Sequence, residues 1–111
     1  LIRQADVYYA DKKAAFMEFA KCAGAFSMDR SHTARYQALH SAIDNALLFC
    51  NSENQAMLID FQILVDTELF GSSYTPDERA NYSTRVAKIL TSLNKELEST
   101  KPIINSERGE C

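Results

Sequence analysis

The stretch Thr75–Leu97, TPDERANYSTRVAKILTSLNKEL, decides the fold. Its first four residues are a complete helix start. Thr75 supplies a hydroxyl to a free amide, Pro76 sits where no amide partner is needed, and Asp77 and Glu78 face the positive end of the helix. Glu78 also stands where it can reach back and close a capping box. Behind this start, Tyr82, Val86, Ile89, Leu93 and Leu97 recur at helical spacing with Leu90 beside them, opposite Lys88, Thr91 and Lys95. That spacing predicts an amphipathic helix over 76–99, ended by Lys101-Pro102.

The same period runs upstream. Leu58, Phe61, Val65 and Leu69 form the inward stripe of a helix over 53–70. Ser52 and Gln55 match a capping box at its start, and Gly71 is a stop because it takes left-handed backbone angles without a Cβ clash. Tyr36, Leu39, Ile43, Ala46 and Cys50, widened by Leu47, predict a helix over 32–50. Asp29 or Ser31 is placed to cap it. Ile2, Ala5, Tyr9, Lys12, Phe16, Phe19, Ala23 and Phe26 follow a heptad seam over 2–27, broken only by Lys12. The aliphatic stem of Lys12 is expected to cover the seam while its ammonium reaches water.

Helices of these lengths are marginal alone and must bury their stripes against one another. Short connectors send each helix back along its predecessor, so the expected fold is all-α: an antiparallel up-down-up-down four-helix bundle. One domain over 1–101 and a flexible tail over 102–111 account for the chain.

Composition narrows the function classes. A net charge of −3 with no cluster of Lys and Arg leaves no electrostatic footprint for nucleic acid. No apolar run is long enough for a membrane span, and no signal peptide is present. The start at Leu1 without a methionine points to an excised or processed piece, which leaves room for a signal or membrane anchor ahead of it. Three cysteines, Cys22 and Cys50 in apolar stretches and Cys111 in the polar tail, suit reduced thiols and a cytoplasmic setting. No two of them have CxxC spacing, so no metal site is expected. A di-iron bundle needs Glu three residues before His, and a helix-borne zinc protease needs His-Glu-x-x-His; neither surrounds His32 or His40. With Cys22 and Cys50 among apolar neighbours, no nucleophile has a base beside it. No cofactor is expected and the chain is read as a non-enzyme.

Ala38-Leu39-His40-Ser41 places His40 on the second helix at the edge of its stripe. In this respect the chain resembles histidine phosphotransfer domains, four-helix bundles with one exposed histidine on the second helix. The resemblance implies a phosphoacceptor role for His40. The sequence departs from that family in having Ile43 and Asp44 where a small and a basic residue follow the histidine, and an acid there repels phosphate. The plainer alternative is a boundary histidine bonded to Asp44 or packed on Tyr36. A third reading is a small apolar ligand held among Phe16, Phe19, Phe26 and Phe61, whose spacing equally suits plain core.

The third helix is unlike the others. It carries Glu53, Asp60, Asp66 and Glu68 and no Lys or Arg. It also has a second apolar row, Ala56, Ile59, Ile63 and Phe70, well round from Phe61 and Val65. A helix apolar on two sides either is buried more deeply than a small bundle allows or exposes a patch for a partner. Ile59, Ile63 and Phe70 are therefore the candidate contact surface of a non-catalytic interaction module, for a second copy or another part of the parent protein. The alternative cover is the tail with Ile103 and Ile104.

Overall fold

A computed structural model of the chain describes residues 4–72 and 75–101. Ile2, the connector positions 73 and 74, and the tail 102–111 with Ile103, Ile104 and Cys111 lie outside the described residues. Among the described residues there are four α-helices and no strand: α1 Gln4–Met28, α2 Thr33–Leu47, α3 Ser52–Leu64 and α4 Pro76–Thr100. A π-helical turn, Val65–Leu69, prolongs α3.

The helices form a ring in chain order, and each neighbour runs antiparallel to the last. Between α1 and α2, Arg35 Nη1 donates to the Ala25 carbonyl and Tyr8 Oη to that of Phe49. Between α2 and α3, contacts of Tyr36 with Asp66, His40 with Gln62 and Gln55 with the Leu47 carbonyl hold one register, advancing on one helix as they retreat on the other. Asn54 meets Glu96 across α3 and α4 while Phe61 meets Tyr82. Tyr82 Oη donates to the Ala23 carbonyl at 2.6 Å, closing α4 onto α1.

The core lies where the seams converge. Phe16, Phe19, Ala23 and Phe26 of α1 are buried with Leu39, Ile43 and Ala46 of α2, Leu58 and Phe61 of α3, and Ile89, Leu93 and Leu97 of α4. Phe19 meets Phe61 edge-on across the diagonal, with ring centroids 5.9 Å apart. Such offset aromatic pairs add to the area they bury. Val65 is buried, and Val86, Leu90 and Leu69 pack on the core from its rim.

Three local expectations are corrected. The amide of Asn54 is capped by the Asn51 side chain at 2.9 Å, so α3 begins one residue earlier and Ser52 is its first turn. Gln55 bonds forward to α2 instead of reaching back. Asp29 accepts from Ser31 within its own turn, and α2 starts after His32 with no side-chain cap. α2 also stops at Leu47, short of Cys50, because Leu48–Cys50 tighten into a turn. The α4 start is as read: Thr75 Oγ1 accepts from the Glu78 amide, and Glu78 Oε1 from the Thr75 amide at 2.9 Å.

Candidate functional site

Tyr36, His40 and Asp44 stand four residues apart, so α2 presents them as one column along its flank toward α3. Across from them, Gln62 Nε2 lies 2.9 Å from His40 Nε2. Tyr36 Oη donates to Asp66 Oδ1 at 2.7 Å. That bond, followed by partial burial and the Asp66 charge, pushes the Tyr36 phenol above its ordinary value.

The π turn sets this geometry. The Phe70 amide donates to the Val65 carbonyl at 2.9 Å, five residues back, so the chain carries one more residue in this turn than an α-helix would. Thr67 Oγ1 bonds the Ile63 carbonyl inside it. Asp66 faces Tyr36, and the Phe70 ring stacks on the Tyr36 ring with centroids 4.1 Å apart. The turn ends at Gly71, whose φ of +82° is a left-handed conformation and whose amide donates to the Arg30 carbonyl.

His40 stands between two carboxylates. Asp44 Oδ2 is 3.6 Å from Nδ1 and Asp66 Oδ2 is 3.6 Å from Nε2. Because they address opposite ring nitrogens, they do not converge on a point where one metal ion could sit. Among the described residues no group of three or more His, Cys, Asp or Glu side chains is arranged to hold one. Two anionic neighbours also oppose the approach of a phosphoryl dianion to the ring.

The three residues of the second apolar row are exposed: Ile59 by 46%, Ile63 by 54% and Phe70 by 38%. Ile59 and Ile63 lie one turn apart on the flank carrying Gln62 and Asp66. Phe70 is joined to His40 through Tyr36, whose ring also meets the imidazole edge-on at 5.9 Å. The candidate contact residues and the candidate histidine thus share one face of α2 and α3.

A second polar constellation, at the end of the bundle where α2 turns into α3, escaped the sequence reading. Lys12 is 3% exposed and its Nζ lies 2.6 Å from Glu96 Oε2, itself buried. The expectation of a solvated ammonium is therefore overturned: a carboxylate within reach inside the bundle replaces water. Glu96 Oε1 accepts from Asn54 Nδ2 at 2.7 Å, both its oxygens accept from the Asn51 amide, and Asn54 in turn accepts from Ser92 Oγ. Burial works against the Glu96 charge, but bonds from Lys12, Asn54 and the Asn51 amide outweigh it and hold the carboxyl below the ordinary glutamate range. Cys50 beside this knot is pushed up to about 11, first by burial and then by the Glu96 charge, so its thiol stays protonated at neutral pH. One signal for the knot was present: Lys12, Asn54 and Glu96 all occupy seam positions, Asn54 four residues before Leu58 and Glu96 three after Leu93.

Phe16, Phe19, Phe26 and Phe61 are buried, each 4% exposed or less. An open groove of about 540 Å³ lies instead between α3 and α4, floored by Met57, Leu64, Tyr82 and Ile89. No helix among the described residues is long and apolar enough to cross a membrane. No protein-family model matches the chain, and no curated protein or solved structure matches it.

Proposed function

We propose that this chain is a non-catalytic interaction module that docks a protein partner on the outer face of α3. One observation carries the reading. α3 satisfies the core with Leu58, Phe61 and Val65, yet it keeps Ile59, Ile63 and Phe70 at the surface. Scattered apolar residues on a surface are ordinary, but two of these lie one turn apart on α3 and the third ends its π turn, where Phe70 is held in place by its stack on Tyr36. An aromatic ring already immobilised loses little entropy when a partner lands on it, which suits it as an anchor.

The test places a photo-crosslinking amino acid at position 63 in the cells that make the protein, and at Thr91 on α4 as a control. A discrete crosslinked species from position 63 and none from position 91 is expected. Light scattering of the wild type and of Ile63→Glu then tells a second copy from a different polypeptide. Absence of any crosslink at 63, together with an Ile63→Glu variant that behaves as the wild type in every association measurement, sinks the reading.

A further inference from the structure

Charge is divided unevenly around the ring of helices. α1 carries three carboxylates and three ammonium groups, and α4 four carboxylates against Arg79, Arg85, Lys88 and Lys95, so each is neutral. α2 and α3 with its π turn together carry Asp44, Glu53, Asp60, Asp66 and Glu68 against Arg35 alone, a net of −4. Arg35 is turned away, its guanidinium bonded to the Ala25 carbonyl of α1. Asp60 and Glu68 line the groove toward α4 together with Arg30, Arg85 and Lys88, whereas the face that exposes Ile59, Ile63 and Phe70 carries Asp44 and Asp66 on either side of His40.

Resting on the docking role proposed above, we infer that the occupant of this face is a basic amphipathic helix of another polypeptide. The apolar row fixes the shape of the ligand. From Ile59 to Phe70 it runs roughly 16 Å along α3 and its π turn at the helical rise per residue, so a partner helix of about three turns, with apolar residues at three-four spacing, lies along it. The carboxylates fix its charge, because Lys or Arg flanking that apolar stripe meets anions on α2 and α3. The same field repels an anionic membrane surface and nucleic acid. A second copy docking through this same face would set Asp44 and Asp66 of one copy against those of the other.

The probe is an acetylated, amidated peptide of about 15 residues with Leu at three-four spacing and Lys elsewhere, long enough to cover the row. One control peptide replaces every Lys by Glu, and another every Leu by Ser. Titration calorimetry on the full chain is expected to show binding of the Lys–Leu peptide, weakening with added salt, and none of either control. Asp44→Lys and Ile63→Ser should each lower its affinity roughly tenfold, the size of a lost charge contact or apolar anchor. Lys13→Ala on α1, diagonal to α3, should leave it unchanged. Equal binding of the Lys and Glu peptides, or affinity indifferent to both Asp44→Lys and Ile63→Ser, overturns the proposal. So does a wild type that binds no peptide but self-associates in a manner abolished by Ile63→Glu. That last outcome assigns the face to a second copy and leaves the docking role standing, whereas a face silent to crosslinking and to peptide removes both.

Discussion

Lys12 and Glu96 show what a single side chain decides in this bundle. Both charges are out of water, so each is tolerated only because the other is there. Lys12→Met should therefore destabilise the fold by about 3–5 kcal/mol in urea unfolding, since it strands a buried carboxylate. Lys12→Met combined with Glu96→Gln should recover most of that loss. The amide oxygen of Gln still accepts from Asn51 and Asn54, and no charge is left to desolvate. The same pair sets a pH dependence. The carboxyl of Glu96 is held below its unfolded value, so its stabilisation is complete above the pKa of an exposed glutamate and drains away as pH falls through the lowered one. Unfolding measured across the acid range should show that loss in the wild type, and the double variant should lack this part of it. A double variant as unstable as Lys12→Met alone contradicts the account. A lysine and a glutamate at seam positions could be seen in the sequence; their pairing could not, because Glu96 lies in the last helix and only the closed ring brings the two together.

At the scale of elements, two glycines make opposite predictions. Gly71 ends the π turn at φ +82° with open space where a Cβ would stand, so Gly71→Ala meets no neighbour and pays only for the left-handed backbone. That penalty is about 1–2 kcal/mol. Gly24 lies within α1, one turn before its end, exposed and likewise without a neighbour near its missing Cβ. There Gly24→Ala should stabilise by roughly 0.5–1 kcal/mol, through a smaller loss of chain entropy on folding. Thermal melts of the two variants should move in opposite directions; shifts of the same sign refute the assignment of backbone conformation. The stop at Gly71 was readable from its residue type. The π turn before it was not, because one widened turn leaves the apolar spacing of Phe61, Val65 and Leu69 almost untouched. That turn accompanies the meeting of Asp66 and Phe70 with Tyr36, so the candidate face took its form from a feature without a sequence signature.

The whole molecule is held by a core in which opposite helices meet. Phe19 and Phe61 touch across the diagonal and neither is exposed. Phe19→Ala and Phe61→Ala should each lose about 3–5 kcal/mol in urea unfolding. Because they share one contact and one resulting cavity, the double variant should lose measurably less than the two losses added together. Strict additivity would mean that the diagonal contact does not form. Around this core the outer surfaces differ in charge: α1 and α4 are neutral, whereas α2 and α3 with its π turn are acidic, and both α1 and α3 leave large apolar side chains in the open.

The sequence by itself determined the four helices, their order around the ring and the residues of the core. Helical periodicity and capping are local, and apolar stripes joined by short connectors close in few ways. It also marked Ile59, Ile63 and Phe70 as surplus to that core, since they stand on the wrong side of α3. Tertiary structure alone decided that Lys12 is buried beside Glu96 and that His40 shares a face with Phe70 and two carboxylates. Each of these outcomes depends on which groups from distant helices arrive within a few ångströms, and there the competition between water and a protein partner is settled by packing, which no local period encodes.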